Sequence, residues 1–278
     1  MTALVRELPA FSTTVFESRR HRHALVIPVI SEGQRIRDQI ARVGALDPPV
    51  DVVIADGGST DGSLDHHLMR DGGVRALLAK TGPGQLSAQL RMAYAWCLDE
   101  GYEGIVTIDG NGKDGVEAIP SFVAKLVEGF DYVQGSRYMR GGVAENTPLD
   151  RHLAGRLIHA PLLSFAARHW FTDTTNGFRG YSARYLRDAR VAPFRDVFAR
   201  YELLFYLTVR ASQLRYRVIE IPVLRRYPRN APAPTKIAGW SGRLRMLGEL
   251  FAVASGRFTP PDSAPAGKLG HLGGRILR

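Results

Sequence analysis

The chain has 278 residues, 45% of them hydrophobic, enough for one large core, and a single α/β domain with a C-terminal extension is the simplest arrangement for a soluble globular protein. Its one cysteine, Cys97, excludes a disulfide framework, and no run of 18 apolar residues is present to span a bilayer. A formal charge of +10 favours anionic partners: nucleic acid, anionic lipid or phosphorylated small substrates.

Residues 1–22 read as an irregular or partly helical arm without the basic start and apolar run of a signal peptide, so a reducing cytoplasm is the expected setting. A buried strand is expected over 23–30, with Pro28 ending it or meeting a solvent-open edge. Ser31 is placed to cap a helix over 32–43 whose Ile36, Ile40 and Val43 share one face, and 50–55 reads as the next strand. Strand, helix and strand in succession build a parallel sheet. In the following turn, ADGGSTDGS, Asp56 stands at a strand end, where an acid meets a ribose hydroxyl or a base N–H, and Ser59 or Thr60 caps a helix starting near Asp61. A third strand is expected over 74–78. The segment TGPGQL then opens a long helix whose free N–H groups either meet an anion or close a structural turn.

The stretch GIVTIDGNGKDG is a β-rich run entering a glycine-rich polar turn. Asp109 and the side-chain carbonyl of Asn111, two residues apart, supply oxygen ligands for a divalent ion, Mg²⁺ or Mn²⁺, that bridges phosphate oxygens. Asp114 is a further ligand or the partner of Lys113, and the same letters also describe an Asx-rich loop held by its own backbone. After a helix from Glu117 and a strand over 132–135, Arg137 and Arg140 are set either to bind phosphate or to pair with nearby acids. A helix over 151–170 interrupted by Pro161 is followed by an aperiodic run over 172–186. The next helix, over 194–211, carries Glu202 among apolar residues, which requires the acid to be paired or to face solvent. Beyond a strand over 216–222, RRYPRNAPAPTK reads as a basic, proline-rich lid over an anionic ligand, 239–254 as a helix, and 259–278 as a polar, disordered tail.

Taken together, ALVIPVISEG, VVIADGGSTDGS, TIDGNGKD, VQGSRY, TNGFRGYSARYL, YELLFYLTVRAS and VIEIPV with RRYP and PTK resemble the family 2 glycosyltransferases of GT-A fold, in their order, over roughly 23–237. The branch they resemble is that of the polyprenyl-phosphate (dolichyl-phosphate) mannosyltransferases. The resemblance implies an α/β, Rossmann-like, mostly parallel sheet flanked by helices over 23–237, preceded by the arm and followed by an amphipathic helix over 238–258 and the tail. It implies that Pro28 and Glu32 line the donor site with Asp56 near the base or ribose, and that Asp109 and Asn111 hold the two ends of an Asp-x-Asp metal motif. It further implies that Arg137, Arg179, Arg226 and Lys236 meet phosphates of donor or acceptor, with Glu202 at the acidic position of the helix after GFR; RRYPRN offers three arginines for the place given to Arg226. Asn111 in place of the second carboxylate, and ADGG in place of Asp-Asp-Gly-Ser, are departures from the family pattern.

The activity so implied is inverting transfer of a hexose from a GDP- or UDP-sugar to an isoprenoid phosphate, with peripheral contact to an anionic membrane in cell-envelope synthesis. The competing reading is transfer to a saccharide hydroxyl of a surface polysaccharide or glycolipid, which needs a carboxylate base, Glu202 or Asp173. Nucleic acid is not an expected partner, because the basic residues form no recognised reading helix.

Overall fold

Ten strands and nine α-helices are formed among residues 6–229 and 239–260, the part of the chain that the computed structural model describes. The strands are β1 (Phe11–Val15), β2 (His23–Val29), β3 (Asp51–Asp56), β4 (Val74–Lys80), β5 (Gly104–Thr107), β6 (Tyr132–Ser136), β7 (Val143–Glu145), β8 (Arg179–Ser182), β9 (Val218–Pro222) and β10 (Leu224–Arg226). The helices are α1 (Gln34–Leu46), α2 (His66–Asp71), α3 (Leu86–Asp99), α4 (Ile119–Val127), α5 (Leu149–Ala154), α6 (Ala160–Ala167), α7 (Ala183–Arg187), α8 (Glu202–Gln213) and α9 (Gly239–Ala254). Eight strands form one sheet in the order β1–β4–β3–β2–β5–β8–β6–β9, while β7 and β10 pair separately in parallel.

Strands β2, β3, β4 and β5 are parallel neighbours, as are β6 and β9; β1 and β8 run against them. The chain moves outward from β2 to β3 and β4, then returns to place β5 on the other side of β2. This reversal opens a crevice beyond the carboxyl ends of β2 and β5, the place where open α/β sheets receive ligands. Apolar side chains cover both faces. On one face Ile36, Ile40 and Val43 of α1 and Phe122 and Val123 of α4 pack with Leu25, Ile27, Ile54 and Val106. On the other, α3 contributes Leu90, Ala93 and Cys97, α8 contributes Leu203 and Leu207, and α9 contributes Leu250 and Val253. Each such fully buried large side chain stabilises the fold by roughly 1.5–3 kcal/mol. Burial also pushes the Cys97 thiol well above its ordinary range, so it is a packed apolar residue rather than a nucleophile.

Several elements differ from the sequence reading. The arm contains β1, an antiparallel edge strand on β4, so FSTTV is sheet rather than irregular chain. Pro28 lies inside β2, where it pairs with Ala55 of β3 while pairing with β5 has already ended at Val26. Its missing N–H therefore faces no ladder on that side. Ser31 does not cap α1: its φ is 48° and Gly33 is the cap position, while Ser31 Oγ accepts from the backbone N–H of Thr60 at 3.3 Å. The helix expected near Asp61 starts instead at His66, capped by Asp65. Pro161 stands in the first turn of α6, where a missing N–H costs least, and the expected interruption takes the form of a π-helical turn over Gly155–His159 between α5 and α6. The aperiodic run hides β8, and the helix expected from 194 begins only at Glu202. Among the described residues no helix is long and apolar enough to cross a membrane.

Candidate active site at the ends of β2, β3 and β5

The loops after β2 and β3 are fastened to each other. Asp61 Oδ2 accepts from Gly33 N–H at 2.8 Å, and Ser59 Oγ accepts from Ser31 N–H at 2.9 Å. Asp56, 8% exposed, uses Oδ1 to accept from the Gly58 and Ser59 N–H groups and the Ser59 hydroxyl at 3.1, 2.8 and 2.7 Å. Its carboxylate thus sets the turn at the crevice wall. Gln89 of α3 reaches beneath this loop and donates to the carbonyls of Val29 and Ala55 at 2.9 and 3.0 Å. A Cβ at Gly57 would lie 2.7 Å from Gln89 Nε2. Glycine at 57 thus leaves room for a glutamine that ties β2 to β3, while the acid missing from ADGG is replaced by Ala55, a buried residue of β3. Pro28 pairs with Ala55 at the same corner, and Glu32, in the loop after β2, accepts from Arg35 at 2.9 Å.

The turn after β5 is anchored on both flanks. Gly112 N–H donates to Gln39 of α1 at 3.0 Å, and β10 runs past it, with Arg226 N–H donating to the Lys113 carbonyl at 2.8 Å and Gly115 N–H to the Leu224 carbonyl at 2.9 Å. Within the turn, Asn111 Nδ2 approaches Asp109 Oδ2 at 3.4 Å and Asn111 Oδ1 accepts from Lys113 N–H at 3.3 Å, so the Asx-turn reading and the ligand reading describe the same loop. The guanidinium of Arg225 enters this cluster. It donates from Nη2 to Asp109 Oδ2 at 2.8 Å, and from Nη1 to both oxygens of Asp114 at 2.8 and 2.6 Å and to Asn176 Oδ1 at 3.3 Å. Burial pushes the Asp109 carboxyl up, but the adjacent Arg225 and Lys113 charges and the hydrogen bonds from Arg225 and Asn111 hold it below the usual carboxylate range. Burial, then the Arg225 charge, brings the Lys113 ammonium down to about 8; its Nζ stands 4.8 Å from the Tyr227 ring centre.

Of the expected metal ligands, Asp109 keeps 25% of its side chain exposed beside Asn111. Asp114 does not join them. It is 1% exposed and consumed by Arg225. Among the described residues no group of three His, Cys, Asp or Glu is placed to hold a metal. One carboxylate and one amide oxygen fit an ion whose other ligands arrive as phosphate oxygens, not a standing metal centre.

The remaining expected residues fall in other places. Arg137 is spent on Asp173, with Nε–Oδ2 at 2.7 Å and Nη2–Oδ1 at 3.0 Å, and on Thr175 at 2.6 Å; the pair is 5% and 1% exposed. Burial raises the Asp173 carboxyl and Arg137 more than reverses it, which leaves an ionised, saturated acid rather than a general base. Arg179 is a core residue, 1% exposed. It donates to the carbonyls of Asn176, Thr174 and Leu204 and to Thr208 Oγ1 at 3.1 Å, so it joins loop, β8 and α8 and meets no ligand phosphate. Arg226 pairs with Glu145 on the outer side of the β7–β10 ribbon, and the arginine that reaches the site is its neighbour Arg225. Glu202 accepts from Arg200 N–H at 2.6 Å in a groove of about 710 Å³ that Arg195, Arg200, Arg245, Glu249 and Arg257 also line. The amino end of α3 is closed by protein, since Gln85 and Ser87 N–H donate to the carbonyls of Ala199 and Arg200, both at 2.7 Å, so the structural-turn reading of TGPG holds. Lys236, most of the PTK lid and residues 261–278 of the tail lie outside the described residues.

Residues 24–190, more than half of the chain and including every loop of this crevice except β10, match the model of Glycosyl transferase family 2. The chain belongs to that family. It is 28% identical to undecaprenyl-phosphate mannosyltransferase of Micrococcus luteus over 204 residues, covering 71% of this glycosyltransferase and 81% of that one. It is 25% identical to polyprenol monophosphomannose synthase of Mycolicibacterium smegmatis over 205 residues, 73% and 76% of the two chains. Among solved structures it resembles glucosyl-3-phosphoglycerate synthase from Mycobacterium tuberculosis in complex with Mn²⁺, UDP and phosphoglyceric acid, with a TM-score of 0.58 over 86% of this chain and 79% of that one. At 19% identity this last likeness is one of fold, and it agrees with the GT-A architecture expected from the motifs.

Of the residues that build this glycosyltransferase site, Arg225 stood in the sequence only as one of the three arginines of RRYPRN, and Gln89 was not singled out. Arg225 was legible in principle: the buried Val223, Arg225 and Tyr227 alternate with the more exposed Leu224 and Arg226, the period of a strand. Gln89 gave no such signal, because nothing in a helix sequence says that one glutamine will reach two carbonyls of different strands.

Proposed function

We propose that the chain transfers a hexosyl group from a GDP- or UDP-sugar to a polyprenyl phosphate. The Asp56 turn fits the nucleoside end of the donor, and the diphosphate would lie over Asp109, Asn111 and Lys113. A divalent ion held by Asp109 and Asn111 would supply charge neutralisation for the departing diphosphate. Lys113 and Arg225 add positive charge on the protein side. An acceptor phosphate oxygen, already anionic, forms the new bond to the anomeric carbon as the bond to the diphosphate breaks, and the nucleoside diphosphate leaves with the electron pair. The step requires no general base, which agrees with Asp173 being saturated by Arg137.

The observation that carries the lipid acceptor is an exposed apolar row beside the site. Leu149, Leu157, Phe165 and Trp170 are 71%, 69%, 86% and 68% exposed along α5, the π turn, α6 and the segment after it. Leu244 and Phe251 of α9, packed on α6, are exposed as well. The row abuts the crevice through Arg151, whose guanidinium lies 6.0 Å from the ring centre of Tyr227, and through His152, whose ring centre is 5.0 Å from that of Tyr138. Flanking arginines at 151, 156, 168 and 245 suit an anionic membrane face, so we place the protein peripherally at the inner side of the cytoplasmic membrane.

A second reading is transfer to a hydroxyl of a saccharide or small phosphorylated acceptor. The solved relative that binds phosphoglyceric acid and the arginine-lined groove around Glu202 support it. The test offers labelled GDP- and UDP-hexoses with undecaprenyl phosphate in vesicles, 3-phosphoglycerate, or an oligosaccharide. Lipid-linked label is the expected product, and label confined to a water-soluble acceptor would establish the second reading instead.

A further inference from the structure

We infer that Arg225 is a tethered counter-cation for Asp109, one that a divalent ion must displace, so that the site holds metal well only after a nucleoside diphosphate has arrived. The inference rests on the reading of Asp109 as the carboxylate facing the donor diphosphate. Arg225 occupies Asp109 Oδ2 at 2.8 Å, and its other nitrogen is fixed by Asp114 at 2.6 and 2.8 Å and by Asn176 at 3.3 Å. The side chain is 7% exposed and Asp114 completely buried, so this guanidinium is held in the site rather than waving at its mouth. Backbone pairing of β10 with the turn reinforces the placement, since Asp114 and Arg225 form an isolated antiparallel bridge.

Charge counting gives the consequence. Asp109 and Asp114 contribute two negative charges, and Arg225 and the buried Lys113 contribute two positive ones, so the cluster is neutral before any ion enters. Asn111 adds no charge where a second carboxylate would have made the cluster negative. A divalent ion on Asp109 would have to share that carboxylate with a guanidinium that a buried carboxylate keeps from retreating, and the repulsion would oppose binding. An incoming diphosphate makes the neutral cluster negative. It offers Arg225 a new anionic partner and the ion new oxygen ligands.

The test is Mn²⁺ binding followed by the electron paramagnetic resonance signal of the free ion, with and without UDP or GDP, on wild type, R225Q, R225Q/D114N and N111D. The double variant removes the buried pair together and keeps the test informative if R225Q alone fails to fold. Without nucleotide, wild type should leave millimolar Mn²⁺ largely free, and N111D, which adds a negative charge, should bind it more tightly than wild type. R225Q/D114N keeps the net charge of wild type but frees Asp109 of its guanidinium, and should bind Mn²⁺ about tenfold or more tightly than wild type, the order expected when a positive charge contacting the ligand is removed. With nucleotide, wild type should approach the double variant. Mn²⁺ affinity of a folded double variant within twofold of wild type, or tight Mn²⁺ binding by nucleotide-free wild type, would overturn the inference. Nucleotide-sugar binding measured on the same samples separates the two claims. Unchanged Mn²⁺ affinity with intact donor binding sinks only the role of Arg225, whereas raised Mn²⁺ affinity with no donor bound by any form sinks the donor reading and leaves that role standing.

Discussion

Gly177→Ala tests whether the position of Asp109 matters to catalysis without touching any charged residue. A Cβ added at Gly177 would lie 2.3 Å from Asp109 Oδ1 and 2.9 Å from its Cγ, closer than side-chain carbons tolerate. The carboxylate must swing by about 0.7 Å or more, and that motion strains the 2.8 Å bond from Arg225 Nη2 and the 3.4 Å contact from Asn111. A weakened charge-assisted hydrogen bond and an off-rotamer side chain together cost about 1–3 kcal/mol, which lowers Tm by a few degrees in a chain of this size. The catalytic cost is larger, because an error on the order of 1 Å at a reacting centre reduces turnover by about 10²-fold. Turnover with a labelled nucleotide sugar, Tm by calorimetry and donor binding should therefore show a folded protein with a small loss of stability and a large loss of kcat. Gly44→Ala in α1 is the control. Its Cβ meets nothing closer than 4.0 Å, so it should gain about 0.5–1 kcal/mol with turnover unchanged. Wild-type turnover in Gly177→Ala would refute the placement of Asp109 at the reaction.

Three other outcomes are expected. Lys113 is an ammonium below about pH 8 and a neutral amine above it, so the crevice loses a positive charge between pH 7 and 9 and donor affinity should fall across that interval. Lys113→Met should bind weakly at both pH values, and a flat wild-type profile would contradict the assignment. Asp173→Asn strands the buried Arg137 charge and should cost about 3–5 kcal/mol in denaturant unfolding while leaving kcat of the folded fraction within about tenfold. A loss of kcat beyond about 10³-fold at unchanged stability would restore Asp173 as a base. Replacing both Leu157 and Phe165 by serine should reduce binding to anionic vesicles by about tenfold or more without changing binding of free nucleotide, since each exposed side chain can bury roughly 1.5–3 kcal/mol of apolar surface in a lipid interface. Equal vesicle binding would remove the support for a lipid acceptor.

The strands that shape the crevice were legible because β2, β3 and β5 are short apolar runs that end in glycine and acid, and a chain so written cannot continue straight. Asp56 and Asp109 could be placed at strand ends for the same reason. β8 was not legible: Arg179-Gly-Tyr-Ser has no apolar alternation, and its arginine is buried because it finds backbone carbonyls in the 174–176 loop and α8, partners that no local pattern reveals. Arginine at three positions looked suited to phosphate, yet Arg137 and Arg179 hold the fold together and Arg226 pairs with Glu145. A guanidinium reads the same in sequence whether it faces a ligand or a carboxylate 36 residues away. The contact of Arg225 with Asp109 spans 116 residues and depends on β10 passing the turn, so the composition of the cluster is a property of the fold.

The measurement closest to the central claim is calorimetric titration of the wild-type protein and Asp109→Ala with GDP-, UDP-, CDP- and ADP-sugars, with and without Mg²⁺ or Mn²⁺. One nucleotide sugar should bind wild type more tightly with metal, and Asp109→Ala should abolish that metal-dependent increase while remaining folded. Metal-dependent binding that survives intact in Asp109→Ala, or no binding of any donor to wild type, would contradict the account of the turn after β5 as the donor site.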